Sequence, residues 1–307
     1  MKILIVGLGS IGKKHIAAIV KVCPGAEIYA LRSNHQSLAF DNVKNIYSLN
    51  EINFKLDFIL ISNITVLHEI TIIEMCKFKC PLFIEKPVLH NLDNYEKVAL
   101  ELKKNHIDTY VACNLRFHPS LKFIKQYLKD INEQINEVNI YCGSYLPDWR
   151  PGEDFRKNYS SNMALGGGVH LDLIHELDYC TWIFGFPLYS KSVKSSSSSL
   201  KISSFDYSHF TFFYSNFIVN ITLNYFRRDS KREIEIITNN QTIIVDLIEN
   251  VIIDKVSRKT LFNQKHNIAD TYFFQMQYFV DKILHNNLTF MNDFDNSVKV
   301  LKLAINE

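Results

Sequence analysis

The chain has 307 residues, 47% hydrophobic and 21% charged, enough for two domains with a substantial core and too apolar for disorder over most of its length. Its formal net charge of +2, with no run of five or more like charges, excludes the electrostatic footprint of a nucleic-acid or anionic-membrane binder, so small molecules are the expected partners. No apolar stretch approaches the roughly 20 residues that span a bilayer, and Met1-Lys2 leads straight into Ile3-Leu4-Ile5-Val6 without a cleavable signal, so a cytoplasmic location and no membrane partner are expected.

Over the first 115 or so residues, short β-branched runs alternate with helical patterns, which predicts a parallel sheet with right-handed crossovers. Strands are expected at 2–6, 27–31, 45–47, 57–62, 81–85 and 109–113, and helices at 12–22, 66–78 and 92–105, the first ended by Cys23-Pro24-Gly25. After Arg116 the texture changes. A helix at 119–129 is followed by a strand near 138–141, a long polar-aromatic loop, a Gly166-Gly167-Gly168 turn and one helix running to about Trp182. The run 217–225 puts Phe217, Val219, Ile221, Leu223 and Tyr225 on one face and Asn220, Thr222 and Asn224 on the other, as in an antiparallel sheet with one buried face. Helices at 271–285 and 293–305 close the chain. The serines at 195–199 are a low-complexity loop or strand edge. The six cysteines are scattered, with no C-x-x-C and no histidine at zinc-finger spacing, so they read as reduced, buried small hydrophobes and no metal site is expected.

Val6-Gly7-Leu8-Gly9-Ser10-Ile11-Gly12 is a G-x-G-x-x-G that directly follows an apolar strand and opens a helix. That context lets the backbone of Gly7, Gly9, Ser10, Ile11 and Gly12 approach a pyrophosphate lying on the helix N-terminus. An acidic residue for the ribose 2′-hydroxyl of NAD is expected about 20 positions later. Here that place holds Leu31-Arg32-Ser33-Asn34. A guanidinium beside a hydroxyl suits a 2′-phosphate, so Arg32 and Ser33 favour NADP over NAD.

The fifth expected strand ends in Phe83-Ile84-Glu85-Lys86-Pro87, and the glycine triplet leads into Asp172, His175 and Asp178. With the fingerprint, these motifs resemble the Gfo/Idh/MocA family, the glucose-fructose oxidoreductase and inositol dehydrogenase-like enzymes, over essentially the full length. The resemblance implies an α/β protein: an N-terminal Rossmann doubly wound parallel sheet (1–116) plus a C-terminal α/β domain (117–307) for substrate binding and oligomerisation, with a large, mainly antiparallel open sheet. A homo-oligomer, dimer or tetramer, is implied with it.

Ligands in open α/β sheets bind outside the carboxyl ends of the strands, where Lys86 stands, and Pro87 keeps Lys86 out of helical geometry. The resemblance assigns the Lys86 ammonium to the reacting oxygen, where it stabilises a developing alkoxide. Glu85 orients it or the cofactor, and Asn63 and His68 fall where the family lines the cofactor cleft; His68 equally suits capping or packing. Histidine has the right ordinary pKa for a general base, so His175 takes that role and Asp172 orients it or contacts substrate. At three-residue spacing, 172, 175 and 178 share one face of a helix. The family pattern is D-x-G-x-H; here Asp172-Leu173-Ile174-His175 is one residue shorter and lacks that glycine, while the following His-x-x-Asp is kept.

Substrate contacts are expected from Asn114 and Arg116 after the last Rossmann strand, and from Trp149, Arg150 and Arg156 in the aromatic loop, which suit stacking on a sugar and pairing with a carboxylate or phosphate. The loop and the D-x-x-H-E-x-D helix look like the family branch of bacterial surface-sugar pathways, which implies a sugar, sugar acid or nucleotide sugar. The expected activity is an NAD(P)-dependent oxidoreductase acting on a CH–OH group; the alternatives are a non-catalytic sugar or cofactor sensor and a redox-neutral enzyme with bound cofactor.

Overall fold

The computed structural model describes residues 1–36 and 39–305. The chain forms two compact units, Met1–Asn114 with Ile268–Leu301, and Leu115–Asn267 with the chain from Lys302. A single cut after residue 116 misses the return of the C-terminal segment to the first unit.

In the first unit, β1 (Lys2–Val6), α1 (Ser10–Val22), β2 (Glu27–Leu31), β3 (Val43–Ile46), β4 (Phe58–Ile61), α2 (His68–Met75), β5 (Leu82–Ile84), α3 (Tyr95–Lys104) and β6 (Thr109–Val111) alternate as expected. The six strands are parallel in the order β3-β2-β1-β4-β5-β6. That order reverses between β1 and β4, which opens a crevice at the carboxyl ends of these two strands. The strands read as unbroken apolar runs because both faces are covered: all of Phe58 to Ile61 is fully buried.

In the second unit, α4 (Pro119–Ile131), β7 (Ile135–Tyr145), α5 (Val169–Asp172), α6 (His175–Phe184), β8 (Tyr189–Ser195), β9 (Tyr207–Phe213), β10 (Ile218–Asn224), β11 (Phe226–Thr238), β12 (Thr242–Asp246), β13 (Val251–Asp254) and β14 (Lys259–Asn263) build an eight-stranded sheet in the order β14-β13-β12-β11-β7-β10-β9-β8. Neighbours are antiparallel except β7 and β10, which run parallel. The alternation read in 217–225 sorts as expected at Val219, Ile221 and Leu223, which are fully buried. Asn224, on the polar side, is nevertheless buried because its amide donates to the Tyr141 hydroxyl at 2.7 Å. Along the other face, Asn220 donates to Asn139 and Asn139 to Glu235, at 3.2 and 3.0 Å.

The helix expected from the glycines to Trp182 is two helices, α5 and α6, interrupted at Leu173-Ile174. The terminal helices are α7 (Ile268–Leu284) and α8 (Phe294–Ile305). On α7, Met276, Phe279 and Val280 share a core with β1, β4, β5 and α1; the Phe279 ring lies 5.1 Å from Phe58 and 5.2 Å from Phe83. Truncating such a buried ring costs about 3–5 kcal/mol, which explains why this segment belongs to the first unit. Among the described residues, no helix is long and apolar enough to cross a membrane.

Candidate functional site

The fingerprint forms a tight passage from β1 to α1. Gly7 has φ +99°, and a Cβ there meets the Asn63 backbone nitrogen at 2.2 Å, so only glycine fits between the ends of β1 and β4. Ser62 closes the passage by donating from Oγ to the Gly7 carbonyl at 2.7 Å. At Gly9 a Cβ meets none of the described residues within 4 Å. Gly9 is the N-cap of α1, which has no side-chain cap and no acidic residue in its first turn. The open space, the uncapped N–H groups and the positive helix end fit a pyrophosphate. Gly9 and Ser10 are exposed, Ile11 is half-buried and Gly12 is buried.

Arg32 follows β2 at the same sheet edge, its backbone N–H donating to Ile46 at 2.8 Å. The side chain is half-exposed and Ser33 is exposed.

Lys86 lies just beyond β5, half-buried, and the Lys86–Pro87 bond is cis. Its backbone N–H donates to Glu85 Oε2 at 3.1 Å. The other oxygen, Oε1, lies 2.5 Å from His15 Nε2 on α1. Burial alone drives the Glu85 carboxyl up, but the His15 hydrogen bond and the His15 and Lys86 charges outweigh it and hold it below the usual carboxylate range. His68, buried on α2, holds the loop from the other side. Its Nδ1 lies 3.0 Å from the Pro87 carbonyl and 3.2 Å from that of Val88, and its Nε2 lies 3.2 Å from the Asn63 carbonyl. Burial lowers its pKa against the pull of these carbonyls and of Glu85, and the ring lies between the loops after β4 and β5. The Asn63 amide donates to Thr71 Oγ1 at 2.8 Å.

In the second unit, Gly167 lets α5 begin against the preceding turns: a Cβ there meets the Tyr159 carbonyl at 2.0 Å. Asp172, buried at the end of α5, accepts from the Tyr225 hydroxyl at 2.6 Å. His175 opens α6, half-buried. The interruption means that Asp172 and His175 do not share one continuous helix face. Asp178 is engaged in a buried ion pair with Arg116, 2.6 Å from Nη2 to Oδ1. His170 is packed edge-on against Phe205, and burial, with the Lys194 charge, pushes its pKa down to about 3.

The remaining expected substrate contacts are pinned to the protein. Asn114, in the first unit, donates to Thr271 Oγ1 at 2.7 Å. Trp149 donates from Nε1 to Ser144 Oγ at 2.9 Å and meets the Tyr225 ring edge-on at 5.3 Å. The Arg150 guanidinium lies over the Tyr159 ring and that of Arg156 over Phe155, at 5.6 and 4.6 Å. Trp149 keeps 38% exposure, so one edge of the loop presents aromatic surface.

Sequence reasoning did not single out His15, Tyr225 as a hydrogen-bond donor, or Arg232, which donates from Nε to the fully buried Glu176 at 2.6 Å. The available signal for His15 was a histidine on the apolar stripe of the fingerprint helix, three residues past its last glycine. All six cysteines are free; Cys23 is half-buried and the rest are buried, with Cys142 and Cys180 pushed up to about 12. Among the described residues, no group of three or more His, Cys, Asp or Glu is arranged to hold a metal ion.

Strand order, fingerprint passage and open helix terminus define an NAD-binding Rossmann domain, joined here to an α/β domain with a large, mainly antiparallel sheet. Residues 1–112 match the Gfo/Idh/MocA oxidoreductase family, NAD-binding Rossmann fold. It is 27% identical over 195 residues to a myo-inositol 2-dehydrogenase of Thermotoga maritima, a match covering 60% of this chain and 55% of that protein. The chain thus spans about half the length of the curated relatives it matches. In fold it is similar to the WlbA dehydrogenase of Bordetella pertussis, solved with NADH and UDP-GlcNAcA (TM-score 0.81, 16% identity, 99% of this chain and 93% of that one). It is also similar to the UDP-N-acetylglucosamine 3-dehydrogenase GnnA of Acidithiobacillus ferrooxidans (TM-score 0.79, 16% identity, 100% and 96%).

Proposed function

We propose that the protein is an NADP(H)-dependent oxidoreductase that transfers hydride between the nicotinamide and a carbinol carbon of a sugar, sugar acid or nucleotide sugar. The observation that carries this reading is Lys86 standing at the carboxyl end of β5, on the sheet edge where the fingerprint leaves α1 open to a pyrophosphate. Gly7 to Gly12 hold the pyrophosphate, and Arg32 with Ser33 takes the 2′-phosphate. When bound, the nicotinamide accepts or supplies the hydride. In oxidation, Lys86 stabilises the developing alkoxide, His175 takes the hydroxyl proton, and CH–OH becomes C=O. Asp172 orients His175 or the sugar, and Trp149 offers a stacking surface. The names of the relatives, an inositol dehydrogenase and nucleotide-sugar dehydrogenases, support this substrate class. On the same reading, the protein serves bacterial surface-glycan biosynthesis in the cytoplasm and assembles as a homo-oligomer through the open sheet face.

The test is a screen of myo-inositol, UDP-GlcNAc and UDP-GlcNAcA, followed together by nicotinamide absorbance and product mass. Lys86→Ala should lower turnover by roughly 10²–10³-fold. Wild-type rates in that variant would falsify the assignment, and ligand binding without product would make the protein a sensor. Product without absorbance change would make it redox-neutral. NADPH should bind more tightly than NADH, and Arg32→Asp should reverse that order.

A further inference from the structure

We propose that His15 is a positioning residue that acts through Glu85 to hold Lys86, tying the cofactor-binding helix to the group that meets the substrate oxygen. The inference rests on the reading of Lys86 given above and extends it to a residue outside the Gly-rich turn and the Glu-Lys-Pro motif.

Three observations carry it. His15 is fully buried on α1, the helix whose N-terminus is Gly9, and its Nε2 lies 2.5 Å from Glu85 Oε1. Glu85 is kept ionised and is therefore acceptor-only, so Nε2 must carry a proton and donate it. The second carboxylate oxygen accepts the Lys86 backbone N–H at 3.1 Å. One carboxylate thus receives two donors, one from α1 and one from the residue it positions, while its own N–H is fixed to the Ile61 carbonyl at 2.8 Å.

The His15 ring is packed against aromatic side chains. Phe83 on β5 and Tyr272 on α7 meet it edge-on at 4.9 and 5.6 Å. Its Nδ1 is buried without a hydrogen-bond partner among the described residues. A buried histidine kept with one nitrogen unpartnered costs stability that an apolar residue would not, which is understandable if the bond to Glu85 serves another end. That end is the placement of Lys86: a short, buried hydrogen bond fixes Glu85 to α1, and Glu85 in turn holds the Lys86 backbone N–H.

The test reads Lys86 directly. Wild type, His15→Leu, His15→Gln and Glu85→Gln are labelled with acetic anhydride and quantified by mass spectrometry, with the exposed Lys191 and Lys265 as internal references. Circular dichroism checks that each variant is folded. Glutamine at 15 can still donate to Glu85, whereas glutamine at 85 has one acceptor oxygen for two donors. His15→Leu and Glu85→Gln should therefore change the Lys86 labelling rate roughly 5-fold relative to the references, and His15→Gln should stay near wild type. On a substrate found in the screen, kcat should fall roughly 10-fold in the first two variants with KM changed less than about 2-fold.

An unchanged Lys86 rate in folded Glu85→Gln overturns the proposal, even if His15→Leu does not fold. So does equal behaviour of His15→Gln and His15→Leu, which would make His15 a packing residue. Altered Lys86 labelling with no wild-type turnover on any substrate would instead overturn the enzymatic reading and leave the positioning role standing.

Discussion

Arg116 and Asp178 form a buried bidentate pair in which Nε donates to Oδ2 at 2.9 Å and Nη2 to Oδ1 at 2.6 Å, with side chains 6% and 3% exposed. The pair joins the turn before α4 to α6. Removing one partner of a buried pair leaves the other charge desolvated, so Arg116→Ala should cost about 3–5 kcal/mol in urea denaturation. The double variant Arg116→Ala/Asp178→Ala should recover part of that loss. If Arg116→Ala keeps full stability and raises only the KM of a sugar substrate, the arginine belongs to substrate binding instead.

Gly7 and Gly9 should respond differently to the same substitution. Gly7→Ala forces a Cβ into the Asn63 backbone at positive φ and should destabilise the first unit. Gly9 has φ −87° and open space beside it, so Gly9→Ala should melt at the wild-type temperature. The added methyl nevertheless stands where a pyrophosphate would approach, and NADPH affinity should fall roughly 10-fold or more. Fluorescence titration alongside a melting curve separates the two effects. Unchanged NADPH binding in Gly9→Ala would remove the fingerprint from the cofactor site.

What was legible in the sequence was local or periodic. The fingerprint lies in six consecutive residues, the Rossmann strands announce themselves as apolar runs, and β10 alternates on a period of two. The missed relationships are between residues distant in the chain: His15 reaches Glu85 across 70 positions and Arg116 reaches Asp178 across 62. No pattern of spacing encodes such pairs. The return of α7 was hidden for the same reason, since an amphipathic helix shows an apolar face without naming the sheet that covers it. The interruption at Leu173-Ile174 was missed because both residues favour continuing an apolar helix stripe, and both are indeed buried.

Two buried histidines set an acid limit on stability. Burial first, then the charges of His266 and Arg232, lower His118 from 6.5 to about 4 against the pull of the Leu247 carbonyl; His170 falls to about 3. With folded pKa values below the unfolded one, the unfolded chain binds protons first as pH falls. Stability is therefore full above about pH 6.5 and is lost progressively toward pH 4, by up to about 3 kcal/mol for His118. His118→Gln, which can still donate to Leu247, should flatten the stability profile between those values. An unchanged slope would show that His118 does not govern it.

Tyr225 decides whether Asp172 is held for chemistry or only for structure. Its hydroxyl, fully buried at the end of β10, donates to Asp172 at 2.6 Å, and burial with the Asp172 charge keeps the phenol protonated. The Asp172 charge, with burial, also raises the Tyr159 phenol, so a second protonated hydroxyl belongs to the same polar cluster. Tyr225→Phe leaves the packing against Trp149 and deletes one donor from a buried carboxylate, which should cost about 1–3 kcal/mol. If Asp172 orients His175 or the sugar, turnover should also fall, roughly 10-fold, while NADPH affinity stays at the wild-type value. A variant that loses stability but keeps wild-type kcat and KM would make Asp172 an anchor for α5, leaving His175 to act without it.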